Sequence, residues 1–320
     1  MISILYLSPV LSFLTTFIAT NILTRYLRRI DLVVKDQNKE NKPLVPTSGG
    51  MAVMSGILVG LMFYIFVLTF SYKDFSQISI IFAVTITILL ITFIGFLDDV
   101  IINKTKDASI GLRQWQKPLL TLIPAIPLMV INAGNSLMSV PFIGRIDIGL
   151  FYPLLLIPIG VVGASNMVNL LAGINGIEAG MGIVSIGMLG LYSFVNLRYE
   201  AAGIAVIVFA ALIAFFFYNK CPAKILPGDS LTYLIGASLV SIAVVGNIER
   251  AALICSIPFL LEFILKARSK FKAQSYGYYD NGKIHSLHNK IYSLIHIFTI
   301  KPKFTEKQIT YAFMFLELII

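Results

Sequence analysis

Residues 93–100, FIGFLDDV, close a run of about twenty apolar residues that begins at Ile78, and they close it in two adjacent carboxylates. Some twenty apolar residues are enough for one helix to cross the roughly 30 Å hydrocarbon core of a bilayer. A charged side chain inside that core costs on the order of 2.5–3.5 kcal/mol on insertion scales, so acids there usually serve a function. Asp98 and Asp99 would also repel and shift one another's titration, as acid–base and metal–phosphate sites often require. The plainer alternative is a helix end whose carboxylates meet water, and the pair alone does not decide between the two.

The rest of the chain agrees with a membrane reading. Of its 320 residues, 57% are hydrophobic and 13% charged, with a mean hydropathy of +0.86. A soluble globular domain carries about a quarter charged residues, so that class is excluded. Apolar stretches near 3–24, 50–70, 78–97, 118–133, 149–165, 176–195, 201–219, 230–247 and 250–265 can each form a span. A weaker tenth, 308–320, is too short to span alone, and 291–300 can lie at the interface. The expected fold is all-α and polytopic, with about ten transmembrane helices. One integral membrane domain covers 1–320, with 266–303 as its only substantial extramembrane segment. The first stretch is too long for a cleaved leader and lacks a basic start, so it reads as a retained helix.

Charge gives the orientation. With ten helices starting from outside, the odd-numbered connections hold all of the 25 Lys and Arg except Lys73, Arg145, Arg198 and Arg250. The positive-inside rule then puts loops one, three, five, seven and nine in the cytoplasm and both termini outside. That bias accounts for much of the +9 net charge. Nucleic acid is a poor partner for it, because the basic residues flank spans instead of lining a groove with stacking aromatics. Cys221 and Cys255 offer no disulfide framework.

The same loops hold nearly every unusual polar residue. A transporter needs polar groups near the midplane with paths to both faces, whereas this chain gathers them on one side. Loop five, SNMVNLLAGINGIEAG (165–180), is densest: Asn166 and Asn169 would share a helical face, as would Asn175 and Glu178. Its glycines permit close packing or a helix break with amides aimed at an anion, while asparagines also serve as ordinary interhelical glue. Asp229, in LPGDS, reads either as a helix N-cap or as a magnesium ligand. Lys117 can hold a phosphate or anchor a helix end beside the interfacial Trp115. His285 and His288 suit a phosphate-binding or solvated loop better than a metal pair. Glu262 pairs most simply with Lys266 one turn on.

FIGFLDDV, NMVNLLAGINGIEAG (166–180) and LPGDSLTYLIGA (226–237), in this order and spacing, resemble the polyprenyl-phosphate N-acetylhexosamine-1-phosphate transferases. The likeness runs from about residue 30 to 300 and is strongest to the eukaryotic and archaeal branch, the UDP-GlcNAc–dolichyl-phosphate GlcNAc-phosphotransferases. It implies ten helices, a cytoplasmic active site at a cell membrane if the source is prokaryotic, Mg2+, UDP-GlcNAc as donor and a dolichyl or polyprenyl phosphate as acceptor. The product would be a lipid-linked pyrophosphate sugar for N-glycosylation. The related alternative is undecaprenyl phosphate with another UDP-sugar, for cell-wall or polysaccharide initiation. A homodimer is left open.

By the same resemblance, Asn169 and Asp229 match the metal ligands, Asp98 and Asp99 the catalytic acids, and Lys117 the lysine for the acceptor phosphate. Val162, Gly163, Ala164, Ser165, Asn166, Met167, Val168, Asn169 and Leu170 would line the lipid-phosphate site. Asn175 would hold uracil, and Lys35, Asp36 and Gln37 would contact the nucleotide. Three departures stand out. Thr47 replaces a glutamate of the sugar site, Lys270 and Lys272 stand in for an Arg-His-Arg of loop nine, and loop three is longer. Loop nine carries HSLH where the cell-wall branch has a three-histidine run. Direct displacement by the acceptor is favoured over covalent attack by an aspartate, because a phosphate monoester, with a second pKa of about 6, is already a nucleophile near neutrality.

Overall fold

The computed structural model describes residues 5–105, 112, 113, 115–134, 136–140 and 144–320. Much of the insertion in loop three therefore lies outside the described residues. The helices in chain order are α1 (Leu7–Arg29), α2 (Gly50–Val67), α3 (Ile78–Thr105), α4 (Gln116–Leu122), α5 (Ile126–Ile131), α6 (Ile157–Leu170) and α7 (Ile177–Val195). There follow α8 (Tyr199–Asn219), α9 (Gly228–Gly246), α10 (Glu249–Cys255), α11 (Ile257–Ala267), α12 (His296–Thr299) and α13 (Glu306–Ile319). Three antiparallel hairpins, β1–β2 (Val33–Lys35, Leu44–Pro46), β3–β4 (Leu137–Val140, Gly144–Asp147) and β5–β6 (Gly277–Asp280, Lys283–Ser286), cap the bundle.

Helix α1 shows a chain built for lipid. Its buried positions include Ser8, Ser12, Thr16 and Thr20, while Leu14, Ile18 and Ile22 are exposed. A soluble helix turns its apolar stripe inward; here small hydroxyl residues pack inward, and Ser12 Oγ donates across to the Ile207 carbonyl of α8 at 2.9 Å. This is the inverted pattern of membrane helix packing. The chain is a multi-pass membrane protein.

Among the described residues seven segments are long and apolar enough to cross a membrane: Leu7–Arg29, Gly50–Tyr72, Ile78–Ile101, Tyr152–Leu170, Ile177–Val195, Tyr199–Asn219 and Gly228–Gly246. The expected ten is not confirmed. Residues 116–131 form two short helices around a 3₁₀ turn, Ile123–Ala125. Pro118, Pro124 and Pro127 remove backbone donors there. Residues 249–267 likewise divide at Ser256, just before Pro258, and α13 has only 14 residues.

Helix α9 is the axis of the bundle: no residue along it is exposed. It packs on α2, α3, α6, α7 and α8. Gly236 permits one of the close approaches, since a Cβ there would lie 2.4 Å from the Ser165 backbone nitrogen of α6. Residues of the turns after α1, α6, α8 and α11, with Leu112 and Trp115 before α4, line one cavity at the end where α9 begins. Gly49 N–H bonds the Leu226 carbonyl at 3.0 Å and Leu226 N–H bonds the Pro46 carbonyl at 2.7 Å, joining loops one and seven.

Candidate active site

The N-terminus of α9 is built around an acid from another helix. Asp99 Oδ1 accepts the backbone N–H of Asp229 at 2.7 Å, and Oδ2 accepts that of Ser230 at 3.3 Å. These are orphan donors of a first helical turn, normally capped from within the chain segment itself. Gly228 makes the arrangement possible. Its φ is +68°, and a Cβ there would come within 2.3 Å of Asp99 Oδ2. On α3, Gly95 lets the Asp229 carbonyl approach, 2.4 Å from where a Cβ would stand.

Asp98, the other member of the pair, turns elsewhere. Its Oδ1 accepts the Leu112 N–H at 2.6 Å, and its Oδ2 lies 2.6 Å from Lys117 Nζ. The same ammonium is 2.7 Å from Asp229 Oδ2, which also accepts Asn169 Nδ2 at 2.9 Å. One lysine is thus held between two carboxylates, and a third carboxylate fixes the backbone beneath one of them.

A cavity of about 850 Å³ opens over this cluster, reaching Lys117, Asn169 and Asp229. Its far wall is a polar lattice in which Asn175 Nδ2 donates to Asp36 Oδ2 at 2.9 Å. The β1–β2 register, Lys35 opposite Leu44, delivers Lys35, Asp36 and Gln37 to that wall. Thr47 lines it as well.

The lipid-phosphate segment divides by helical period. Val162, Gly163, Asn166, Met167, Asn169 and Leu170 line the cavity, but Ala164, Ser165 and Val168 do not. Successive residues of a helix point 100° apart, so Ser165 and Val168 are buried in the bundle, Ser165 Oγ reaching the Tyr233 carbonyl at 3.3 Å. Lys270 and Lys272 are also absent from the cavity and exposed. They flank Phe271 in a turn where Lys270 and Phe271 have φ of +54° and +60°, and it is Phe271 that enters the cavity. His285 and His288 do not converge. His285 Nε2 is 3.7 Å from Asp280, whereas His288 Nε2 accepts the Gln274 N–H at 3.3 Å. Glu262 meets Lys266 at 3.9 Å but accepts the Leu294 N–H more closely, at 2.7 Å.

Several lining residues escaped the motifs. Trp115, Phe263 and Phe271 form the aromatic part of the wall, and Gln274, Ser275 and Tyr276 of loop nine complete it. The aromatics were indistinguishable by sequence from interfacial anchors. The loop-nine segment has no polar spacing that announces a site, since its contribution depends on how α11 ends.

The donor set suits a small hard cation. Asp98 and Asp229 flank a single ammonium, and the Asn169 amide abuts Asp229; rotating that amide half a turn would place its oxygen beside the carboxylate. Among the described residues no group of three His, Cys, Asp or Glu forms a closed cage. Magnesium needs none, taking one or two carboxylates and filling its shell with water and phosphate oxygens.

A model of glycosyl transferase family 4 matches residues 81–247, which hold the acid pair, Lys117, Asn169, Asn175 and Asp229. The chain is 36% identical over 311 residues to a Saccharolobus solfataricus protein provisionally named UDP-N-acetylglucosamine–dolichyl-phosphate N-acetylglucosaminephosphotransferase, across 95% of this chain and 90% of the relative. A Sulfolobus acidocaldarius protein of the same provisional name is 31% identical, across 98% of this chain and 93% of its own length. The phospho-N-acetylmuramoyl-pentapeptide-transferase of Halalkalibacterium halodurans is 30% identical, across 81% of this chain and 80% of its own.

Proposed function

This chain belongs to glycosyl transferase family 4, and on that premise we propose that it transfers GlcNAc-1-phosphate from UDP-GlcNAc to a dolichyl-type polyprenyl phosphate. An oxygen of the acceptor phosphate forms a bond to the sugar-bearing phosphorus, the bond from that phosphorus to the UMP oxygen breaks, and UMP leaves with the electron pair. The observation that carries this reading is Lys117, gripped by Asp98 and Asp229 at 2.6 and 2.7 Å beside the cavity.

The acceptor is largely dianionic near neutrality, so it needs approach more than activation. Lys117 offsets its charge and orients it in line, which makes catalysis a matter of positioning and electrostatics. Asp98 is fully buried, with Oδ1 accepting the Leu112 N–H and Oδ2 ion-paired to Lys117, which suits it to aiming that lysine. Asp229 and Asn169 would hold magnesium, which when bound would neutralise the donor pyrophosphate and the departing UMP. Asp36 and Asn175 present donors and acceptors to the nucleotide. Val162, Gly163, Asn166 and Met167 form the wall along which the lipid phosphate would enter. The coverage of the two archaeal relatives favours the dolichyl-phosphate reading over muramoyl-pentapeptide transfer.

The deciding experiment incubates the purified protein with labelled UDP-GlcNAc, a short polyprenyl phosphate and magnesium. Lipid-extractable GlcNAc appearing in step with UMP supports the proposal; label that stays water-soluble overturns it. The lysine and arginine bias supports a site at the cytoplasmic face of the membrane. A cysteine introduced at Arg198 should then react with an impermeant reagent from outside and one at Lys42 should not.

A further inference from the structure

The family model ends at residue 247, yet Asn175 is held from α13, beyond it. Glu306 Oε1 accepts the Asn175 N–H at 2.9 Å, and Thr310 Oγ1 donates to the Asn175 carbonyl at 2.9 Å. The residue is therefore pinned on both sides of its Cα by one helical turn. That turn is itself fixed by a capping box between Thr305 and Gln308. With the backbone fixed, the Asn175 amide reaches Asp36.

Lys39 closes the ring, pairing with Glu306 and lying 3.4 Å from Asp36. Burial alone would lower the pKa of this ammonium, but Glu306 first and Asp36 next outweigh it and hold it above its ordinary value. Glu306, Thr310, Asn175 and Asp36 are all buried. A helix that merely packs in lipid has no use for a buried carboxylate, which is costly unless it is paired and hydrogen-bonded. This one meets the Asn175 N–H, the Lys39 ammonium and the Cys221 thiol, the last at 3.3 Å.

We propose that the first turn of α13, through Glu306 and Thr310, positions Asn175 and Asp36 to bind the uridine nucleotide of the donor. Glu306 and Thr310 are positioning residues; neither lines the main cavity. The inference rests on the donor reading given above. It predicts that α13 governs donor affinity and leaves acceptor handling alone.

The test compares full-length Glu306→Gln and Thr310→Val with the unsubstituted protein, measuring UMP affinity by calorimetry and the kinetic constants for both substrates. Glu317→Gln is the control: it lies at the far end of α13, where its carboxylate accepts from Ser185 at 2.5 Å. In both test variants UMP should bind about tenfold more weakly, the loss expected when a hydrogen bond to a charged or buried group is removed. The KM for UDP-GlcNAc should rise in parallel, with kcat and acceptor KM changed less than about twofold, and Glu317→Gln should bind UMP normally. Should Glu306→Gln fail to fold, the near-isosteric Thr310→Val carries the same expectation. UMP affinity unchanged in the variants, or acceptor KM and kcat deteriorating equally, would overturn the inference and leave the proposed reaction standing. Absence of UMP binding by the unsubstituted protein would refute the donor reading, and the inference with it.

Discussion

The Asp99 carboxylate accepts the backbone N–H of Asp229 at 2.7 Å, so one acid of the DD pair supports the acid across from it. The two neighbours on α3 thereby divide their work: Asp98 grips Lys117, and Asp99 caps α9. Gly228 tests this division without touching a reacting group. Gly228→Ala adds one methyl against Asp99 and forces an L side chain to φ +68°. It should lower turnover at least about tenfold and raise the magnesium needed, as a small misplacement of Asp229 can. Asp98→Asn and Asp99→Asn should differ in kind, the first weakening acceptor use and the second magnesium use. Near-normal activity of Gly228→Ala would remove the capping argument.

Lys117 should be irreplaceable. It stands between Asp98 and Asp229, a gap suited to a compact ammonium rather than a planar guanidinium fork. Lys117→Ala should cost on the order of a hundredfold in kcat/KM for the acceptor, similar to the loss of one electrostatic group at a reacting oxygen. Lys117→Arg should recover little of it. Full recovery by arginine would reduce Lys117 to a charge in the neighbourhood.

If Asn169 and Asp229 serve one ion, their effects should not add. Asp229→Ala should abolish transfer while the protein stays folded, because its side chain makes no cap hydrogen bond to α9 and Asp98 still pairs with Lys117 when it is gone. Asn169→Ala should raise the magnesium requirement, and the double variant should be little worse than Asp229→Ala alone. Additive losses in a magnesium titration would argue for separate roles.

How much of this was written in the sequence depends on range. The membrane fold was legible, because an apolar run such as 78–97 reports its own environment. The division into spans was less so: three prolines within 118–127 leave composition apolar while breaking the helix. The acids, Lys117, Asn169 and Asp229 could be singled out because glycines and polar residues in apolar surroundings stand out. Their geometry could not, since Asp99 acts on the backbone of a residue 130 positions away. Lys39, Glu306 and Thr310 gave no signal, being ordinary residues at ordinary helix ends and loops. Val162–Leu170 was read as one block where helical period shows a lining face and a packing face.

Loop nine should be acid-sensitive through His296. Its Nδ1 accepts the Tyr292 N–H at 3.2 Å and its Nε2 meets the Gln274 carbonyl at 2.9 Å, an arrangement that suits the neutral ring. Burial, chiefly, with Lys266 and His288 nearby, holds its pKa below the ordinary 6.5 even though the Gln274 bond pulls the other way. The unfolded chain then binds the proton more readily, so stability from this group is full above about pH 6.5 and is lost as pH falls. Melting temperatures of the unsubstituted protein and His296→Gln should differ most at pH 8 and converge toward pH 5. A gap independent of pH would show that the ring contributes packing alone.

The order of chemical events gives the sharpest test. Direct displacement needs both substrates bound at once, so UMP should appear only when the acceptor lipid is present, with sequential kinetics. A covalent route would release UMP from UDP-GlcNAc alone, leave labelled phosphosugar on an aspartate, and give ping-pong kinetics. The structure supplies a reason to expect the first. Asp99 has both oxygens committed to the α9 N-terminus, and Asp98 is buried against Leu112 and Lys117, so neither carboxylate is presented as a free nucleophile. The acceptor phosphate, by contrast, arrives already anionic and meets a fixed ammonium. Single-turnover mixing of enzyme with labelled UDP-GlcNAc should therefore give no UMP burst and no labelled protein until polyprenyl phosphate is added. A stoichiometric burst without lipid would overturn the displacement mechanism while leaving the family assignment intact.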